Sequence, residues 1–181
     1  KVVSVSPWID DLREGLSGGA SPKDLDTMFQ LIRLVFTAPR ADNTAFMSVV
    51  ERMKGAVENR AARPETAFGD TLSTTLAGYS PRMRPWTMAL LNEMNLRGSS
   101  SFYRDRFADA GDFTFCFVGA FDIAKMKPLV ETWLGSLPMK GRKETWRDNG
   151  IRPPGGVVKK TVRKGIEPKS QTRIVFTGPF E

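Results

Sequence analysis

The side chains that most often carry out chemistry in proteins are scarce in this chain of 181 residues. There is no histidine at all, which removes the commonest general base and the commonest zinc ligand. The one cysteine, Cys116, falls inside a predicted strand, where we expect a buried thiol that packs as a small apolar group. A Ser-His or Cys-His nucleophile pair cannot be assembled from these residues. We therefore predict no catalytic residue.

A basic and aromatic cluster, SPRMRPW, is the second feature with chemical potential. It places Arg82, Arg84 and Trp86 on a predicted loop, and loops carry a large share of the binding residues in proteins. We therefore take these three residues as candidates for substrate contact. The alternative is an ordinary surface loop in which Trp86 anchors the segment to the core.

The net charge of +7 is unevenly distributed along the chain. Residues 1–138 carry equal numbers of basic and acidic side chains, so the whole excess lies in residues 139–181. That segment has neither an aromatic RNA-binding signature nor a helix-turn-helix pattern, which favours a solvated linker and no nucleic-acid partner. No apolar run approaches the roughly 18 residues that a membrane span requires, so we expect no membrane span.

The elements that must position these side chains are marked by apolar periodicity, most clearly in the segment DFTFCFVG. One face of this segment carries Phe113, Phe115 and Phe117, and the other carries Thr114, Cys116 and Val118. Alternation with period two predicts a strand. Because both faces are largely apolar, we expect a central strand that is covered on both sides. Further strands are predicted at residues 2–9, 156–162 and 171–177.

Helical spacing predicts helices between and after these strands. Ser21 is the expected cap of the first helix, Pro64 is expected to open the third, and Asp122 precedes the last. One of the serines Ser99, Ser100 and Ser101 is the expected cap of the FYRDRF helix. Strands mixed with runs of helices indicate an α+β fold, with an antiparallel-rich sheet and helices packed on one face.

Three segments of this chain resemble one repeat of the pitrilysin/insulinase-type zinc metallopeptidases. They read SPKDLDTMFQLIRLVFTAPR, AFMSVVERMKGAVENRAARPETAF and FYRDRFADAGDFTFCFVGAFDIAKMKPLVETWLGSLP. The residues at the family's positions in the third segment are Phe102, Tyr103, Val118, Gly119, Leu137 and Pro138. Within the family, the chain is most similar to the PqqL-like bacterial zinc proteases, which are built as four such repeats.

The resemblance implies a division of the chain. Residues 1–138 are expected to form a peptidase-like domain that lacks the zinc motif, residues 139–164 a basic linker, and residues 165–181 the opening strands of a following repeat. Both ends of the sequence have the pattern of cuts inside a larger polypeptide, so the lack of a targeting signal in it says nothing about location. Bacterial relatives suggest a periplasmic or secreted location.

The resemblance also implies where the chemistry lies. Family members hold zinc with an inverted His-x-x-Glu-His helix and a glutamate on a later helix. Glu58 stands at that glutamate's position, and Glu51, seven residues earlier, projects from the same helical face. One carboxylate without imidazole partners cannot form a tight zinc site, so we expect Glu58 to be unoccupied and zinc to reside in the parent enzyme's active half. The alternative is that both glutamates are solvent-facing acids paired with nearby basic residues.

The function that the resemblance implies is that of a non-catalytic domain from the C-terminal half of a zinc protease. Such a domain forms chamber wall and contacts the peptide substrate, and its partners are the other repeats of the same polypeptide. An alternative is a non-catalytic binding or assembly subunit of the same fold. A nucleic-acid-binding module is a third reading, and it would require the basic segment 139–181 to bind with steep salt dependence.

Overall fold

The computed structural model describes residues 1–178 and divides the chain into two compact units. The first unit comprises residues 1–43 and 95–147, and the second comprises residues 44–94 and the segment from 148 onwards. The strands are β1 (Val3–Ile9) and β2 (Glu14–Ala20). The helices are α1 (Leu25–Thr37), α2 (Asn43–Ala62), α3 (Pro64–Leu76), α4 (Met88–Asn92), α5 (Leu96–Arg106) and α6 (Ile123–Leu129).

The first unit opens with an antiparallel hairpin of β1 and β2, in which Val3 lies opposite Ala20 and Ile9 opposite Glu14. Asp10 closes the turn because its carboxylate accepts hydrogen bonds from the backbone N–H groups of Leu12 and Arg13 at 2.9 and 2.8 Å. Alternation along β1 directs its apolar side chains toward the core. The architecture is broadly α+β, as the sequence predicts, with a two-stranded antiparallel sheet.

The connection from β2 to α1 differs in detail from the predicted helix cap. Ser21 makes no capping bond through its side chain; its hydroxyl instead donates to the carboxylate of Asp24 at 2.7 Å. The same carboxylate accepts from the backbone N–H of Val2 at 2.9 Å. The pKa of the buried Asp24 carboxyl is lowered, first by the Ser21 hydroxyl and then by the Val2 amide. Asp24 therefore ties the start of α1 to the start of β1.

The core of the first unit is aromatic and is organised around α1. Phe29 and Phe107 are completely buried, and Phe36 meets Phe107 and Phe113 edge-on, with ring centroids 5.4 and 5.0 Å apart. Tyr103 of α5 stacks on Phe107 at 4.5 Å. Asn95 caps helix α5, because its side chain accepts a hydrogen bond from the Gly98 amide. The serines at 99–101 therefore lie inside the helix, and the prediction that one of them forms the cap is wrong.

The prediction of a central strand at residues 113–118 is wrong in two respects. Phe113, Phe115 and Phe117 pack against the core as the alternation requires, but the segment forms no ladder with another strand among residues 1–178. Its second face is exposed instead of covered, and Val118 is 94% exposed. The alternation of side chains with period two determines which of them share a face. Strand pairing also needs a second backbone at hydrogen-bonding distance.

Cys116 lies on that second face, so the expectation of a buried thiol is also wrong: the side chain is exposed. We predict that Cys116 of the folded chain reacts with Ellman's reagent within about tenfold of the rate in denaturant, because accessibility does not limit it. The rate is read from absorbance, and Cys116→Ser provides the blank because the sequence contains one cysteine. Protection of about a hundredfold or more would contradict this placement.

The predicted strands at 156–162 and 171–177 are not formed among the described residues either. Both segments lie beside α3 and contribute Val158, Val162 and Val175 to a cleft in the second unit. No ladder joins them to each other, because contact with a helix satisfies side chains but leaves strand backbones without partners. Residues 179–181, the end of the predicted following repeat, lie outside the described residues.

Among residues 1–178, none of the helices combines the length and the apolar character needed to cross a bilayer.

Candidate functional site

The predicted contact residues of the SPRMRPW loop are placed at the surface of the second unit. Ser80 caps a single helical turn, Pro81–Met83, by accepting from the Arg82 amide. Arg84 is committed to Glu93 through two hydrogen bonds of 2.9 Å, and its guanidinium holds the pKa of Glu93 below the usual range. The three candidates therefore share one loop without sharing one role.

Arg82 and Trp86 remain available for contacts with another molecule. The Arg82 side chain makes no ion pair in the part of the chain that the structure describes. Trp86 is 47% exposed, so it does not anchor the loop as a buried side chain would. A basic group and an indole on one exposed turn suit a peptide or an anionic ligand.

The two glutamates of α2 lie on the solvent side of the second unit. Glu51 accepts a hydrogen bond of 2.6 Å from the ammonium of Lys54, one turn further along, and Glu58 is exposed. Within residues 1–178, no three His, Cys, Asp or Glu side chains converge on a point where they could hold a metal ion. The residues around Glu58 therefore do not fit a zinc ion, whose tight sites need three or four converging ligands.

A second site, which the sequence interpretation missed, lies in the first unit between β2 and residues 113–117. A cavity of about 320 Å³ separates the two segments, and Met28 and Ile32 of α1 line it. Trp8 lies over Gly15, where a Cβ atom would meet the indole ring at 2.6 Å. The Trp8 indole N–H donates to the Ser17 hydroxyl at 3.1 Å. The signal in the sequence is the small-residue run of β2, EGLSGGA, which leaves this edge of the hairpin open.

One end of this cavity is acidic and lies beside a network of charges. Arg106 donates to Glu14 and to Glu144, while Arg142 bridges Glu144 and Asp105 at 3.0 and 2.9 Å. The Arg106 guanidinium lowers the pKa of Glu144, and the two carboxylates raise the pKa of Arg106 itself. The network joins α5 to β2 and to the segment that follows residue 138.

Asp112 is the acid at this end that forms no direct ion pair within residues 1–178, although Arg142 and Arg106 lie near enough to lower its pKa slightly. It lines the cavity, and its pKa is raised first by desolvation and then by the negative charges of Asp109 and Glu144. Asp109 behaves oppositely: the backbone N–H of Arg142 and then that of Lys140 lower its pKa. A cation placed next to Asp112 would add to the attraction of Arg142 and Arg106, which offsets only part of the effect of desolvation and of the two nearby carboxylates.

The chain has no match among known protein families, characterised proteins or solved structures in the comparisons made with each.

Proposed function

We propose that this chain is a non-catalytic peptidase-like domain of a larger zinc metalloprotease. In this proposal the domain forms part of the chamber wall and contacts the peptide substrate, while a zinc-bearing half of the parent protein hydrolyses the peptide bond. The resemblance to one pitrilysin-type repeat motivates the proposal. It is supported by one structural observation, the uncovered face of the first unit.

That face is formed by the side chains of the hairpin and of residues 113–118 that point away from α1. With the exception of Trp8, the exposed side chains are uncharged; Ser4, Ser6, Ser17 and Thr114 are polar, and Cys116 and Val118 are apolar. Such a surface is well solvated and offers hydrogen-bonding groups without strong charge selectivity. It suits the wall of a water-filled chamber that admits peptides of varied sequence.

A wall of this kind contributes to catalysis without providing the reacting groups. Enclosure and orientation of a substrate lower the entropic cost of reaching the transition state, and they limit the access of bulk water. In this proposal the hydrolysis belongs entirely to the other half. Arg82 and Trp86 are the proposed peptide contacts in the second unit.

A non-catalytic binding or assembly subunit of the same fold is the second candidate. The observation that favours it is the set of exposed apolar side chains in the second unit, where Val157 is 88% and Phe176 is 94% exposed. Contiguous exposed apolar patches are typical of surfaces that another protein covers, so this candidate requires Val157 and Phe176 to belong to one patch. The neighbouring sequence discriminates the two candidates, because an active His-x-x-Glu-His repeat in the same polypeptide favours the protease.

We predict that the 181-residue chain alone retains no zinc and cleaves no peptide. After incubation with equimolar zinc and dialysis, plasma mass spectrometry should find well below one zinc per chain, because the ligand set is incomplete. Glu58→Gln is the matched variant and should leave the zinc content unchanged. One tightly held zinc per chain that is lost in Glu58→Gln would overturn the proposal.

A further inference from the structure

The two segments that border the cavity of the first unit run in the same direction. β2 leads into α1, so its end at Ala20 lies near the first turn of that helix. Phe117 packs against Phe29, in the first half of α1, at 5.2 Å, and Phe113 packs against Phe36, near its end, at 5.0 Å. Residues 113–117 therefore finish where β2 finishes. Both segments also begin at an acidic residue that lines the cavity, Asp112 in one and Glu14 in the other, which agrees with this direction.

Within residues 1–178, the edge of β2 that faces away from β1 has backbone groups without hydrogen-bond partners. Hydrogen bonds from Ser21 to Val2 and from Asp10 to Arg13 fix the phase of the antiparallel ladder. Hydrogen-bonded and non-hydrogen-bonded pairs alternate in such a ladder. It follows that Glu14, Leu16 and Gly18 direct their N–H and C=O groups away from β1, into the space beside the hairpin.

The segment on the opposite side of the cavity, residues 113–117, also has unpaired backbone amides within residues 1–178. Phe113 donates its amide to Ala110, but the amides of residues 114–117 donate to no backbone oxygen within residues 1–178. Two unpaired edges thus border one cavity, and α1 closes it from the core side. Two strands that run in the same direction, with one vacant position between them, accept an antiparallel strand that pairs with both.

We propose that this cavity is a binding slot for one extended peptide segment of a separate polypeptide, which adds as a β-strand between β2 and residues 113–117. Strand addition derives its affinity from backbone hydrogen bonds and its specificity from alternate side chains. This proposal goes beyond the proposed function, because a strand-binding slot requires neither zinc nor a protease half. Failure to bind peptide would therefore leave the zinc prediction unaffected.

The surroundings of the slot specify the chemistry of the peptide. Alternate side chains would face Met28, Ile32 and the three core-packed phenylalanines of residues 113–117, which favours apolar residues at every second position. The remaining side chains would share the exposed face with Ser17 and Thr114, which favours polar residues. Because the strand is antiparallel, its C-terminal end lies beside the exposed carboxylate of Asp112, with which a lysine or arginine of the peptide can pair.

The test uses the 181-residue chain and a capped heptapeptide, acetyl-Thr-Val-Thr-Val-Thr-Val-Lys-amide, whose length matches the seven residues of β2. Binding should slow hydrogen exchange at the amides of Leu16 and Gly18, which direct their N–H groups into the slot. A version with N-methyl groups on the valines loses the donors of one edge and should bind at least about tenfold more weakly.

Charge placement gives a second, independent readout. The isomer with lysine at the N-terminal position should bind about two- to fivefold more weakly, as an exposed ion pair allows. In the Asp112→Asn variant the two isomers should bind equally. In the wild-type chain, the difference in affinity between the isomers should shrink in about 0.5 M salt, because salt screens an exposed ion pair.

Three results would overturn the proposal. The first is the absence of amide protection at roughly millimolar concentrations of peptide, the upper limit for weak strand addition. The second is equal binding of the N-methylated peptide, which would show that backbone pairing plays no part. The third is a concentration-dependent dimer, seen by sedimentation without peptide, in which the Leu16 and Gly18 amides are already protected, since the occupant would then be a second copy.

Discussion

Replacing Phe29 with alanine is expected to lower the free energy of unfolding of the first unit by about 3–5 kcal/mol. The side chain is completely buried, and its ring lies against Phe117 with centroids 5.2 Å apart. The substitution removes the transfer free energy of the ring and leaves a cavity in a core that has only partial freedom to collapse. It also removes one of the ring contacts that hold residues 113–117 along α1, so one border of the proposed slot depends on it.

Phe102→Ala is the matched control because Phe102 is 56% exposed on α5, and we expect it to change stability by less than about 0.5 kcal/mol. Urea denaturation followed by hydrogen exchange at the α1 amides restricts the measurement to the first unit. The slope of the free energy of unfolding against urea concentration should stay the same in both variants, because the surface exposed on unfolding is nearly unchanged. A loss below about 1 kcal/mol in Phe29→Ala would contradict the central position of this ring.

The parts of the fold that follow from local pattern could be predicted from the sequence. The apolar spacing of α1 and the proline that opens α3 predict helices that the structure contains. The alternation of Phe113, Phe115 and Phe117 correctly predicts which side chains face the core. These features depend on residues close in sequence, where periodicity and end signals determine the outcome.

The parts that depend on a distant partner could not be predicted in this way. An apolar second face at Thr114, Cys116 and Val118 indicates a covered strand only if another element covers it, and none does among residues 1–178. The prediction of strands at residues 156–162 and 171–177 is wrong for the same reason. Alternation specifies the orientation of side chains and leaves the identity of the neighbouring backbone open.

In the candidate site, too, some features follow from the local sequence and others depend on distant residues. Exposure of the SPRMRPW loop follows from its composition, but the pairing of Arg84 with Glu93 depends on where α4 places a residue nine positions away. In FYRDRF, alternating charges suggest salt bridges along one helix face. The structure instead directs Arg106 to Glu14 and Glu144, which are distant in sequence. Only the folded chain reveals that this arginine joins three separate segments.

Removing the charge of Arg106 should destabilise the first unit. We expect Arg106→Gln to lower the free energy of unfolding by about 1–3 kcal/mol at pH 7, because two carboxylates lose their charged donor in a partly buried position. The side chains of Arg106 and Glu14 are 21% and 16% exposed. The matched control is Arg104→Gln, an exposed position two residues away on the same helix, which should change stability by less than about 0.5 kcal/mol.

The pH dependence distinguishes a charge interaction from loss of packing. Because Arg106 lowers the pKa of Glu144 in the folded state, the stabilisation from this carboxylate is present at neutral pH. It is lost as the pH falls through the lowered pKa, when the folded protein also takes up the proton. The stability gap between wild type and Arg106→Gln should therefore be largest near pH 7 and should shrink toward about pH 3. A gap of constant size across this range, measured by urea denaturation at each pH, would show that Arg106 stabilises the unit by packing alone.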